Sequence, residues 1–185
     1  MKDSKFNVLL YSDGSHQAFS AAVYTATLFK NIPSMQLTVI HIQGNVEGSV
    51  ETEYHWVDTW PVSPTSEWMK RVLNKSDAAT KKLYHEILTK TNEIFARRGQ
   101  DVSHHAIYSN TNISDTTDIE DAIIEYATKN SFELIIMGTR GLSALNGLVF
   151  GSLAHNVLDK STTPVLLIKK LSQDFINTYL SDTEF

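Results

Sequence analysis

The 185-residue sequence contains no cysteine. That removes disulfides, thiolate metal centres and cysteine nucleophiles together. Proline is scarce, with four residues, and so is glycine, with eight. No stretch reaches the roughly 18 consecutive apolar residues of a membrane-spanning helix, so a membrane partner is not expected. Acidic residues outnumber basic ones, 21 against 16, for a net charge of −5. Sequence-independent binding of nucleic acid needs clustered cations on one face, so nucleic acid is not expected as a partner either. The opening Met-Lys-Asp-Ser-Lys-Phe run leads straight into a strand and lacks the apolar core of a signal peptide. With the missing cysteines, that makes a cytoplasmic location the expectation.

Several signatures of catalysis are missing as well. There is no Gly-x4-Gly-Lys-Ser/Thr, hence no lysine placed for phosphoryl transfer. Neither Gly-x-Gly-x-x-Gly nor the Gly-x-Ser-x-Gly nucleophile elbow occurs. The seven histidines suggest no metal site. His104 and His105 are neighbours on a presumed strand and point to opposite faces, while His55, His85 and His155 are isolated. A dedicated catalytic centre is not expected.

What is present is an ordinary globular composition, 42% apolar and 20% charged, in a length that suits one domain. Strand-like and helix-like segments alternate, which argues for a parallel sheet covered by helices. Phe6–Tyr11 reads as a buried strand. Ser15 caps a helix whose apolar positions, from Ala18 to Phe29, follow the 3.6 period. Leu37–Ile42 is the second strand, residues 76–98 an amphipathic helix stopped by Gly99, and Val102–Tyr108 a third strand. Thr117-Asp-Ile-Glu120 has the form of a capping box opening the next helix. Leu134–Met137 is a strand, Ser152–Lys160 a helix, and Val165–Ile168 the fifth strand. That alternation predicts right-handed crossovers and a doubly wound α/β sheet.

The segment from Gln43 to Lys75 breaks the pattern. It carries all three tryptophans (Trp56, Trp60, Trp68) with Tyr54, His55, Pro61 and Pro64. Loops longer than about 15 residues are uncommon in compact domains and are usually functional or disordered. Three tryptophans argue against disorder. The segment leaves the second strand on the side where such sheets bind ligands, so it reads either as a lid or as a satellite aromatic cluster.

The most informative run follows the strand ending at Met137: Gly138-Thr-Arg-Gly141, nine residues, then Gly151-Ser152. Glycines after a buried strand let backbone N–H groups approach a phosphate at the start of a helix. Ser152 is expected at that helix start, capping it or touching an anion. Asp13 leaves the carboxyl end of the first strand. In a doubly wound sheet the ligand sits where the winding direction reverses, beyond those carboxyl ends.

This spacing resembles the ATP-binding signature of the universal stress protein family. Phe6-Asn-Val-Leu-Leu-Tyr-Ser-Asp13-Gly-Ser15, Leu37–Ile42 and Pro164–Ile168 resemble the family's first, second and last strands. The resemblance implies a Rossmann-like five-stranded parallel sheet in the order 3-2-1-4-5, spanning residues 1–170. Residues 43–75 would be an insert and 171–185 a C-terminal tail. It implies ATP as ligand, held by Asp13, Ile42, Met137, Gly138, Gly141, Gly151 and Ser152; Arg140, inside the loop, is placed to meet ribose or phosphate oxygens, and Leu153 offers a second N–H at the start of the same helix. Mg²⁺ entering with ATP would meet Asp13 and Ser152. It further implies a homodimer through Val165–Ile168, braced by the tail unless that tail packs on its own subunit. The expected function is nucleotide-dependent conformation or partner binding, with at most weak ATP hydrolysis. The rivals are a slow ATPase of the same fold and an interaction module using the Trp-rich insert.

Overall fold

A computed structural model describes residues 5–44, 60, 62–63, 67–109, 116–140 and 151–182. Its elements are β1 (Phe6–Tyr11), α1 (His16–Asn31), β2 (Met35–Gly44), α2 (Glu67–Lys75), α3 (Ala78–Arg97) and β3 (Val102–Ser109). They continue with α4 (Thr116–Lys129), β4 (Leu134–Gly138), α5 (Ser152–Lys160), β5 (Val165–Ile168) and α6 (Gln173–Ser181). The five strands form one sheet in the order β3-β2-β1-β4-β5. Every neighbouring pair is parallel. The order implied by the resemblance is therefore the order observed.

β1 sits at the centre, paired with β2 from Phe6↔Met35 to Tyr11↔Ile40 and with β4 from Val8↔Leu134 to Leu10↔Ile136. A central parallel strand is covered on both faces, so its sequence is apolar without alternation. Val8, Leu9 and Leu10 are all fully buried. Val8 and Leu10 face the side of α1 and α3, with Phe19, Phe29, Met35, Leu37 and Ile94. Leu9 and Tyr11 face the other side, with Ile40, Ile42, Met137, Ile123 of α4 and Val157 of α5. The two-residue period of a strand thus divides one apolar run between two cores.

The Trp-rich segment contributes to the first core. Trp60, Val62 and Met69 are buried in it, and Trp68 packs against it. Trp68 stacks on His16 at 4.6 Å between ring centroids and lies 5.2 Å from Phe19. Trp60 meets Phe95 and His104 edge-on, each at 5.2 Å. The described aromatics therefore behave as core, and a helix, α2, stands where the sequence predicts a loop. Trp56 lies outside the described residues. His104 and His105 do point to opposite faces: His105 approaches Tyr126 of α4 instead. The tail forms α6, which packs on its own chain. Phe175 stacks on Tyr24 of α1, and the Tyr179 hydroxyl lies 2.8 Å from Thr91 Oγ1 of α3. Lys90 of α3 donates to the carbonyls of Tyr179 and Asp182, closing the C-terminal end of α6.

One expected cap is replaced. The helix α4 begins at Thr116, and Glu120 does not turn back toward Thr117 as a capping box would have it. It is buried and pairs with Lys160 at the end of α5. A cation from the adjacent helix is a stronger partner for a desolvated carboxylate than a backbone N–H.

Arg98 ties the return from α1 into β2. Its guanidinium donates to the carbonyls of Phe29 (2.6 Å), Ile32 (2.9 Å), Pro33 (2.7 Å) and Met35 (2.7 Å). It lies over the Phe29 ring at 4.1 Å, and its Nε reaches Asp101 at 3.1 Å. A cation at a helix C-terminus meets both the orphan carbonyls and the negative end of the dipole. Arg98→Met keeps the apolar stem and loses the donors. Charge-assisted hydrogen bonds are worth about 1.5–3 kcal/mol, so the variant is expected to lose about 3 kcal/mol in urea unfolding.

Burial lowers the His104 imidazole to about 4, and the adjacent His105 adds to the effect. His16 and His41 are lowered in the same direction, chiefly by burial. The folded state holds these rings neutral, whereas the unfolded chain takes up protons near its ordinary value of ~6.5. Stability present above about pH 6.5 is therefore lost as the pH falls toward 4. The urea midpoint is expected to fall across that window, with a shallower fall in His104→Asn. An unchanged slope in the variant would exclude His104 as a source.

Candidate functional site

After β1 the chain enters α1 on one face of the sheet; after β4 it enters α5 on the other. The carboxyl ends of these two adjacent strands are therefore the point where the winding reverses, and a cleft opens there. Tyr11, Asp13 and Ser15 line it from the end of β1 and its turn, with Ala18 of α1 behind them. Met137, Gly138 and Arg140 face them from β4, and Leu153 and Ala154 from the first turn of α5.

The turn after β1 is fixed by its own polar atoms. Asp13 Oδ1 accepts the Ser15 N–H at 3.0 Å, and Gly14 takes φ +73°, a left-handed value that glycine adopts without strain. Ser15 is the N-cap of α1, its Oγ accepting the Ala18 N–H at 3.1 Å. Below the turn, His41 Nδ1 lies 3.1 Å from the Ser12 carbonyl. Asp13 is thus held in a defined orientation by the turn it helps to make.

Across the cleft the chain leaves β4 and returns at one point. The Gly151 N–H donates to the Thr139 carbonyl at 2.8 Å, and the Thr139 N–H to Ile168 at 2.9 Å. Gly151 is the N-cap of α5, with no side-chain cap. Of the two roles expected of Ser152, capping the helix or touching an anion, this removes the first. Ser152 sits one residue inside the helix, exposed, and its hydroxyl does not cap. The first N–H groups of α5 consequently have no side-chain acceptor at the cap. Two helix N-termini, of α1 and α5, converge on the cleft, and their dipoles make it receptive to an anion.

Of the residues singled out from sequence, Asp13, Met137, Gly138, Arg140 and Leu153 meet on the cleft. Gly151 and Ser152 adjoin it at the head of α5. Ile42 does not line it; it is buried in the apolar cluster with Leu9, Ile40 and Tyr11. Gly141 lies outside the described residues. Sequence reasoning missed Tyr11, Ser15, Ala18 and Ala154 as cleft residues. The signal for Tyr11 was available, since a strand's two-residue period puts it on the face of Leu9, next to the ligand edge. Among the described residues, no three His, Asp or Glu side chains are grouped to hold a metal ion.

Gly138 has a structural reason of its own. A Cβ there would stand 2.6 Å from Gln17 Cβ and 2.7 Å from the Gln17 carbonyl carbon. The first turn of α1 is pressed against the end of β4, which is how the two halves of the cleft are brought together.

A model of the universal stress protein family matches residues 6–169. The chain belongs to the universal stress protein family. Universal stress protein YxiE of Bacillus subtilis is 25% identical over 165 residues, covering 85% of this chain and 93% of the relative. Universal stress protein MJ0531 of Methanocaldococcus jannaschii is 42% identical over 48 residues, 26% of this chain and 28% of the relative. Among solved structures, MJ0577 superposes with a TM-score of 0.52 at 21% identity, covering 91% of this chain and 98% of its own. A universal stress protein in complex with cAMP also gives 0.52, at 18% identity, with 91% and 99% covered. At these identities the superpositions establish the shared fold. The family match ends at Lys169, so α6 of this universal stress protein lies beyond it.

Gly138→Ala is expected to destabilise the protein by about 1–3 kcal/mol, the usual cost of overpacking. Thermal unfolding of the unliganded variant measures it, and an unchanged midpoint would show that α1 can shift away from β4.

Proposed function

We infer that this universal stress protein binds ATP in the cleft between β1 and β4, and acts through nucleotide-dependent conformation or partner binding in the stress response. The observation that carries the reading is the meeting of two helix N-termini with Asp13 and Arg140 at the winding switch. An uncapped α5 offers backbone donors to a phosphate, and the Arg140 guanidinium offers charge-assisted bonds to phosphate or ribose oxygens. The relative of the same fold solved with cAMP supports an adenine nucleotide as ligand. Mg²⁺ would enter with the phosphates, with Asp13 and Ser152 as its protein oxygens. The space enclosed by the described walls of the cleft is about 10 Å³, far below the roughly 300–1,000 Å³ of small-molecule sites. A nucleotide seated here would lie largely beyond those walls.

The same reading takes residues 1–170 as one nucleotide-binding unit in the cytoplasm, with binding rather than turnover as its activity. It places the homodimer at β5, the four-residue edge strand that pairs with β4 alone among the described strands. An apolar edge of this kind needs covering. Among the described residues, no helix is long and apolar enough to cross a membrane.

Protein stripped of nucleotide is to be titrated with Mg-ATP by calorimetry. About one site per chain is expected, with affinity about tenfold lower in Arg140→Ala, the loss of one charge-assisted bond. Absence of heat at millimolar ATP would overturn the reading. A Gly138→Val variant would not serve as a non-binding control, because its side chain would collide with Gln17 whether or not ligand binds. Sedimentation of the same samples tests the dimer, and a monomer at all concentrations would exclude it.

A further inference from the structure

The hydroxyl of Tyr11 is not used by the fold. Tyr11 is 7% exposed, ends β1, and lines the cleft beside Asp13. Its ring belongs to the cluster of Leu9, Ile40, Ile42 and Met137. Among the described residues its hydroxyl has no hydrogen-bond partner, and it is not one of the fully enclosed polar atoms. Phenylalanine would fill the same space in that cluster, so the packing does not call for the oxygen. A hydroxyl that the packing does not call for, on a residue that lines a cleft, is placed to meet a ligand atom.

We propose that Tyr11 is a specificity-determining residue, its hydroxyl and the Asp13 carboxylate forming a donor–acceptor pair that reads the nucleoside half of the bound nucleotide. This rests on the nucleotide reading of the same cleft. Burial and the Asp13 charge keep the phenol protonated, in that order of effect, so it donates. Asp13, when ionised, only accepts. The ligand must therefore present an acceptor next to a donor. Phosphate is anionic and accepts only, and Asp13 repels it; it belongs at the α5 and Arg140 end, which leaves Ser152, of the two oxygens named for Mg²⁺, beside the phosphates. Two parts of a nucleoside carry the required pair. One is the ribose diol, and the other is the edge of adenine, where a ring nitrogen adjoins the 6-amino group. A tyrosine hydroxyl at this place reads either one by the same chemistry.

Tyr11→Phe removes only the oxygen. Calorimetry of wild type and variant with Mg-ATP, 2′,3′-dideoxy-ATP, 1-deaza-ATP and 7-deaza-ATP separates the cases, because these analogues remove the acceptors a phenol could meet. The variant is expected to bind ATP about five- to tenfold more weakly, the span of one neutral hydrogen bond. The wild-type preference for ATP over one of the analogues is expected to shrink by a similar factor. Loss against the dideoxy analogue assigns the diol, and loss against a deaza analogue assigns the base edge. Urea unfolding without ligand is expected to leave the variant at least as stable as wild type. ATP binding within twofold of wild type overturns the proposal, and so does destabilisation of the unliganded variant with affinity unchanged. If wild type itself binds no ATP, the nucleotide reading falls and this one with it. Binding in wild type that ignores the substitution overturns the Tyr11 proposal alone.

Discussion

The contact between Gln17 and Gly138 is the constraint on which the rest of the site depends. The first turn of α1 approaches the last residue of β4 so closely that even one methyl group would meet backbone. Without that approach the Asp13 turn and the head of α5 would belong to separate parts of the sheet edge. With it, Ser15 and Ala18 face Met137 and Leu153 across one narrow cleft. Packing between an element before β2 and one after α4 therefore decides the spacing of a site whose polar groups are mostly backbone.

The two faces of the sheet divide the work. The α1/α3 side holds the larger aromatic core, and its polar closures lie far from the cleft in sequence: Arg98 gathers the carbonyls where α1 returns to β2, and Lys90 closes the end of α6. The other face ends in the cleft itself, where Tyr11 and Met137 are both core and wall. A substitution on the first face acts on stability. On the second face, stability and cleft geometry are altered together, which is why single-atom changes are more informative there than changes of volume.

The parts of the fold that were legible in the sequence are those with short-range causes. The helix Ser152–Lys160 and the strands Phe6–Tyr11 and Val165–Ile168 have the ranges expected, because apolar runs and glycine or proline boundaries mark them. β2 runs further than the apolar stretch that announced it, from Met35 to Gly44, since its partner β3 extends the ladder to Ser109. Sheet order came only from the family resemblance. The rest depends on contacts distant in sequence. Glu120 looked like the last residue of a capping box until Lys160, forty residues on, supplied a better partner. For Trp60 and Trp68 the sequence left a lid and a satellite aromatic cluster both open, because nothing local says that Phe95 and His16 will meet them. Arg98 was silent for the same reason. Gly138 looked like a ligand-facing glycine, and Gln17 supplies a second cause that no motif contains.

The cleft is also polar in a direction. At one end lie Asp13, acceptor-only when ionised, and the phenol of Tyr11, held in its donor form by burial and by that carboxylate. At the other lie Arg140 and the head of α5, whose N-cap glycine offers no side-chain oxygen to its N–H groups. An anion placed against Asp13 would be repelled; placed against α5 it meets the positive end of a dipole and a guanidinium. A molecule with one anionic end and one end bearing adjacent donor and acceptor fits this cleft one way round. Orientation follows from the charge pattern of four groups on two strands, and the glycine spacing alone does not carry it.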